Sequence, residues 1–252
     1  MPVINALVIA FATYSRIPMP RVDWSDSNRR YVMCFFPLIG GVIGLLLWGW
    51  LALCDALAVG SFLKGAAGAL IPLLITGGIH MDGLMDTSDA LASWQTKERR
   101  LEILKDSHVG AFGVIACAGY LLLSAALIGE MTADQGLLLL FVFVLSRSLS
   151  AWALTVFPNA RPEGMLGSFS RTAHKRQVAA STAVYSLICV LAWIVGGGWL
   201  SLACMAAAGL VLIYYRHMAL KYFGGVTGDL AGWFLQITEL ALTAVILLGG
   251  KM

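Results

Sequence analysis

The chain has 252 residues, of which 59% are hydrophobic and only 12% charged, with a formal net charge of +3. Soluble domains carry roughly 45–50% apolar and about 25% charged residues, so this composition excludes an ordinary soluble globule and leaves a polytopic membrane protein. The small net charge says little by itself, and no nucleic-acid partner is expected.

In chain order, the first apolar stretch is Val3 to Tyr14. It is short for a spanning helix and has no basic segment before it, so it reads as an interfacial or re-entrant helix stopping near Ile17-Pro18 rather than as a cleaved signal. Apolar runs then recur at about 33–56, 65–81, 109–129, 135–157, 177–195, 198–215 and 230–250. Each is near the ~20 residues that cross a bilayer. The second is short and carries Pro72, which a membrane helix tolerates where neighbours satisfy the freed carbonyl. The expected architecture is an all-α polytopic bundle of about seven transmembrane helices plus the N-terminal helix, one membrane domain over residues 1–252. The five cysteines, Cys34, Cys54, Cys117, Cys189 and Cys204, lie singly in apolar runs without metal-ligand spacing and read as small buried hydrophobes.

Lysine and arginine alternate between the loops. Arg16, Arg21, Arg29 and Arg30 precede the first span; Lys97, Arg99, Arg100 and Lys105 follow the second; Arg161, Arg171, Lys175 and Arg176 follow the fourth; Arg216 and Lys221 follow the sixth. The opposite side has only Lys64 and Lys251. The positive-inside rule makes the four basic segments cytoplasmic. Asp82, Asp86, Asp89, Asp106, Glu163 and Asp229 share that side, so polar chemistry is expected there.

The most informative segment is "GGIHMDGLMDTSDAL", residues 77–91. Asp82, Asp86 and Asp89 are spaced i, i+4, i+7 and fall within about 60° on one helix face. Like charges at i, i+4 repel, and no Lys or Arg lies between residues 65 and 96. A hard divalent cation such as Mg²⁺, which takes one or two carboxylates plus substrate phosphates, would remove that repulsion. The bland alternative is a solvated helix end with Asp82 as a cap. Three acids on one stripe at a membrane boundary favour the metal, with Asp106 either a fourth ligand or only a cap. His80 points away from the stripe and reads as structural.

Two further segments suit phosphate. Residues 158–176, "PNARPEGMLGSFSRTAHKR", combine bases with Gly164 and Gly167, and Arg161 is the better phosphate ligand among them. In "YFGGVTGDLAGW", residues 222–233, Gly225 allows close approach of a ligand ahead of a helix, with Thr227 and Asp229 either binding residues or N-caps. Two charges lie inside spans: Arg147 in the fourth, 11 residues from Pro158, and Glu239 in the seventh, 10 residues from Asp229. At 1.5 Å per residue both sit roughly 15 Å below the boundary. A buried charge needs a partner, so these two are expected to pair in the bundle interior, as a structural link first and as substrate ligands second, with Gln236 extending the network.

Together, "TYSRIPMP" (13–20), "FFPLIGGVIG" (35–44), the aspartate segment, "RRLEILKDSHVGAFGV" (99–114), "ARPEG" (160–164) and "GGVTGDLAG" (224–232) resemble the cobalamin 5′-phosphate synthase family, in its order and over most of the chain. The resemblance implies an Mg²⁺-dependent membrane enzyme of the prokaryotic inner membrane, with its active site at the cytoplasmic face. It would join adenosylcobinamide-GDP to α-ribazole or its 5′-phosphate and release GMP. Asp82 and Asp86 would then hold metal, Asp89 would hold metal or act as base, and Arg161 and the 224–228 turn would hold phosphates. The lipid bilayer is an expected partner, and a homo-oligomer stays open. A CDP-alcohol phosphotransferase also opens its motif with Asp-Gly, but here Met85-Asp86 and Thr96 break its longer pattern. Prenyltransferases carry two aspartate-rich motifs, against one strong cluster here. An ion-coupled transporter predicts broken helices and repeated halves, and the sequence signals neither.

Overall fold

The structure, a computed structural model, describes residues 2–161, 169 and 171–250. Its helices are α1 (Pro2–Tyr14), α2 (Asp26–Arg29), α3 (Val32–Ala56), α4 (Ser61–Thr76), α5 (Ile79–Ala92), α6 (Lys97–Ile103), α7 (Ala111–Gly129), α8 (Ala133–Val156), α9 (Lys175–Gly197), α10 (Leu200–Phe223) and α11 (Gly228–Gly249). Six of these, α3 and α7 to α11, are long and apolar enough to cross a membrane, and α4 and α5 form an apolar pair bent by 97° that would make a seventh only if taken as one span.

The chain runs back and forth, so the start of α3, the ends of α4, α8 and α10, and the starts of α7, α9 and α11 share one end of the bundle. Every long basic segment lies at that end. The other end is closed by Asp55 and Lys64: the Lys64 ammonium lies 3.4 Å from Asp55 Oδ1 and donates to the Met131 carbonyl at 2.7 Å.

Burial sorts the helices. About two thirds or more of the most apolar stretch of α8 and α11 is buried (67% and 72%), against 17% for α7. α8 and α11 are therefore the central pair, while α7, α9 and α10 turn residues such as Leu122, Leu187 and Leu202 outward. Such an outward apolar surface suits lipid. α3 lies against α8 along Gly40 and Gly44, where a Cβ would strike the backbone of Phe143 and Leu140. α4 meets α7 in the same way: a Cβ on Gly129 would lie 2.5 Å from the Ser61 carbonyl. Without a hydrophobic drive between helices in lipid, close backbone approach through small residues supplies the packing energy.

Two expectations need correction. The second span does not run from 65 to 81. It stops at Thr76, and Gly77 and Gly78, at φ +65° and +83°, turn the chain through 97° into α5. Left-handed backbone is strained for residues with a Cβ, so the paired glycines are what permit the break. A broken helix was an expected mark of transporters, yet this break lies at the basic end of the bundle. The sixth span, α10, does not stop at Tyr215. It continues to Phe223, with Arg216 and His217 exposed on its surface. The N-terminal helix, expected to be interfacial or re-entrant, is a short apolar helix outside the spans, and α1 packs on α3 and buries Ala6, Ile9 and Ala10 completely.

Candidate active site

α5 is the helix that assembles the site. At 14 residues it is about 21 Å long, and it lies across the basic end of the bundle instead of crossing the layer. Two glycines hold it against the first turns of α11. A Cβ on Gly83 would lie 2.5 Å from the Asp229 carbonyl oxygen, and one on Gly232 would lie 2.9 Å from the His80 carbonyl oxygen. Backbone therefore meets backbone, and Asp82 and Asp86 on α5 come beside Asp229 on α11.

Asp89, the third acid of the stripe, is used differently. Its two carboxylate oxygens accept from the backbone N–H groups of Gly110 and Gly113, at 2.8 and 2.9 Å. Those are orphan donors at the start of α7, where negative charge is favoured. A Cβ on Gly113 would lie 2.5 Å from Asp89 Oδ2 and would displace the carboxylate from this contact. Asp89 thus fastens the far end of α5 to α7.

The other half of the site comes from two loops that zip together. Val226 N donates to the Pro158 carbonyl at 2.8 Å, and Ala160 N donates to the Val226 carbonyl at 3.0 Å. Gly225 is needed for this contact, since its Cβ would lie 2.5 Å from the Pro158 oxygen. The close approach that Gly225 makes is to the protein's own backbone. Thr227 caps α11, accepting from Leu230 N at 3.2 Å. Arg161 reaches Asp229 at 3.5 Å, donates to the Leu101 carbonyl of α6, and has its own N–H bound to Asn159 Oδ1 at 2.8 Å. Glu163, Gly164 and Gly167, also expected around phosphate, lie outside the described residues.

The charges do not balance. Among the described residues, the cation that acts on Asp86 and Asp229 is Arg161. Burial, and then the charges of Asp82, Asp229 and Asp89, push the Asp86 carboxyl up to about 7, with Arg161 only partly opposing. Among the described residues no three His, Cys, Asp or Glu side chains converge tightly enough to hold a metal ion unaided. The donor set nevertheless fits Mg²⁺, which demands few protein carboxylates, keeps waters and uses substrate phosphate oxygens. Asp82 and Asp86 could hold such an ion, with Asp229 beside them.

Asp106, the expected fourth ligand, is not brought to this group. It is exposed and turned to His108, accepting from the backbone N–H at 3.0 Å and lying 2.7 Å from Nδ1. The His108 backbone hydrogen bond, followed by that of the His108 side chain, holds its carboxyl below the usual range.

Beneath the acids lies a cavity of about 260 Å³. Asp82, Asp229, Arg161 and Asn159 line it together with Tyr14, Phe36, His80 and Ser150. His80, expected on the far side of α5, faces the same space as Asp82 because the first turn of the helix lies across the opening. Asn159, Tyr14, Phe36 and Ser150 were not singled out from sequence. Each is a lone residue of a common type in an apolar run or loop, and only "TYSRIPMP" and "FFPLIGGVIG" hinted at two of them.

Arg147 and Glu239 do meet. Arg147 Nη1 lies 2.6 Å from Glu239 Oε1, and Ser146 Oγ donates to the same oxygen at 2.9 Å. Both residues are almost fully buried, at 1% and 2% exposure, and neither lines the cavity. Gln236 is buried nearby on α11, but its Oε1 has no partner among the described residues, so the network does not extend to it through that atom.

The cobalamin-5-phosphate synthase family model matches residues 6–247. A protein of Lachnoclostridium phytofermentans named adenosylcobinamide-GDP ribazoletransferase is 43% identical over 248 residues, covering 98% of this chain and 95% of its own. Proteins of the same name from Desulfitobacterium hafniense and Geobacillus thermodenitrificans are 35% and 34% identical, each match covering at least 95% of both chains. No solved structure matches. A match that runs from α1 into α11, and so takes in every residue of the acidic site, makes the chain a member of the cobalamin-5-phosphate synthase family.

Proposed function

We propose that the protein joins adenosylcobinamide-GDP to α-ribazole, or to its 5′-phosphate, giving adenosylcobalamin or its 5′-phosphate and GMP. The observation that carries this reading is the convergence of Asp82, Asp86 and Asp229 with one arginine, Arg161, at the mouth of a cavity. Like-named relatives along the whole chain supply the identity of the substrates.

The reaction forms a bond from the ribose 3′-oxygen of the nucleoside to the cobinamide-linked phosphorus. It breaks the pyrophosphate bond, and the electron pair leaves with GMP. Asp82 and Asp86 would hold Mg²⁺, which would supply charge neutralisation at the phosphate. Arg161, braced by Asp229 and the Leu101 carbonyl, holds a phosphate oxygen in a fixed place. Asp229 lines the cavity and accepts the proton of the attacking hydroxyl. Asp89, its oxygens spent on the α7 backbone, keeps α5 in position instead of acting as the base. The acidic end faces the cytoplasm of a prokaryotic cell, with the protein in its inner membrane, because the basic loops all lie at that end.

Purified full-length protein in detergent, given both substrates and Mg²⁺, should release GMP in step with corrinoid product. Absence of GMP release from active, folded protein would overturn the reading.

A further inference from the structure

We infer that the cavity beneath the carboxylates is the seat of the acceptor's base, the 5,6-dimethylbenzimidazole of α-ribazole, and that adenosylcobinamide-GDP stays outside it at the acidic mouth. This rests on the proposed reaction for the identity of the two substrates. Size is the first argument. At about 260 Å³ the space is below the roughly 300–1,000 Å³ of clefts that bury drug-sized ligands, so it admits one bicyclic ring system and not a corrinoid.

The lining is the second argument. Tyr14 and Phe36 stand with ring centroids 4.6 Å apart, and His80 lies 6.5 Å from Tyr14 and 5.8 Å from Phe36. Leu154, Ala231 and Leu235 complete a mostly apolar wall. Aromatic side chains of this kind suit a flat apolar ring.

The third argument separates benzimidazole from guanine, the other bicyclic ring in the reaction. Two nearly fully buried lining residues carry a polar atom without a partner, His80 Nε2 and Ser150 Oγ, at 5% and 1% residue exposure. A buried polar atom left unpaired is costly, so these atoms point to a ligand that accepts from one of them. A base-substituted benzimidazole offers one ring nitrogen as acceptor, which His80 or Ser150 can satisfy by donating. Guanine would bring three acceptors and three N–H donors into the same apolar wall and leave most of them unpaired. The remaining unpartnered atoms on lining residues, Asn159 Nδ2 and Arg161 Nε, belong to the loop that carries Arg161, where ribose and phosphate would sit. With the base seated inward, the ribose hydroxyls are left at Asp82 and Asp229.

The test uses wild-type protein first. Free 5,6-dimethylbenzimidazole should inhibit competitively against α-ribazole and not against adenosylcobinamide-GDP, and guanosine should not compete with α-ribazole. Ala231→Leu, which fills the cavity, should raise the KM for α-ribazole by about tenfold or more, since a single methylene in a fitted pocket is worth about 10–200-fold. The KM for adenosylcobinamide-GDP should change less than about twofold. Competition by guanosine against α-ribazole, or a KM rise confined to the nucleotide substrate, would overturn the assignment. Calorimetric binding of 5,6-dimethylbenzimidazole needs no turnover. If wild-type protein releases no GMP yet binds the base, and Ala231→Leu does not, the reaction fails and the cavity assignment stands. If GMP is released but the base neither binds nor competes, the cavity assignment fails alone.

Discussion

Two clusters of charge sit in the same bundle and are built in opposite ways. At the centre, Arg147 and Glu239 sum to zero, lie 2.6 Å apart and are sealed by Ser146 and the Phe143 carbonyl. At the basic end, Asp82, Asp86 and Asp229 outnumber Arg161, whose contact with Asp229 is 3.5 Å, and they open onto a cavity. Charge that is satisfied within the fold needs nothing more and holds helices together. Charge that is left short of counter-charge at an open surface needs a ligand, and here the ligands that would complete it are a cation and a phosphate.

Breaking the central pair should have the largest effect. Arg147→Met leaves Glu239 buried without a cation, a loss of about 3–5 kcal/mol of stability in water-based proteins. Membrane helices soften such penalties, so the more telling measurement is a double-mutant cycle with Glu239→Gln in detergent, where coupling of about 1 kcal/mol or more is expected. Additive single effects would break the comparison on this side.

On the acidic side, Asp82→Asn and Asp86→Asn should each lower GMP release by about 100-fold or more while the protein stays as stable as wild type, since the substitution relieves repulsion. A variant that keeps activity would remove that residue from the site. Gly83→Ala is next. Its methyl group would meet the Asp229 carbonyl and push α5 from α11, costing about 1–3 kcal/mol as overpacking does. It should also weaken activity without touching any charge, and normal stability together with normal turnover would contradict the backbone contact.

The smallest effect is one of pH. Asp86 is pushed up to about 7 from an ordinary value of 3.8, so between those values the folded metal-free protein binds more protons than the unfolded chain. Stability from this group is therefore greatest below about pH 4 and declines as pH rises toward 7. Because the side chain is partly exposed, the change is about 1 kcal/mol or less. Asp86→Asn should flatten this part of the Tm–pH profile, and Mg²⁺ should remove it at pH 8. A profile unchanged by the variant would show that Asp86 is not the group in question.

Much of this was legible in sequence because membranes impose strong rules. Apolar runs gave the spans, the basic loops gave a consistent alternation, and matched depths paired Arg147 with Glu239. The acidic segment was legible as a cluster but not in its division of labour. Nothing in the i, i+4, i+7 spacing says that Asp89 turns to Gly110 and Gly113, which follow 21 and 24 residues later. Hydropathy also does not show the break at Gly77-Gly78, because Ile79 and Met81 extend the apolar run past it. The glycines that set the geometry, Gly83 and Gly232, have no side chain to carry a pattern, and their meaning lies in what they allow to touch.

The central claim is that Asp82 and Asp86 form the cation site, with Asp229 as its close support, while Asp89 is a structural clasp. Binding of Mn²⁺, as a paramagnetic stand-in for Mg²⁺, can be followed by EPR in wild type, Asp82→Asn, Asp86→Asn, Asp229→Asn and Asp89→Asn, with GDP present. The account predicts that the first three variants bind at least about tenfold more weakly, as loss of a metal ligand or its close support does, while Asp89→Asn, once folded, keeps wild-type affinity. Loss of binding in Asp89→Asn alone, with the other three unchanged, would contradict it.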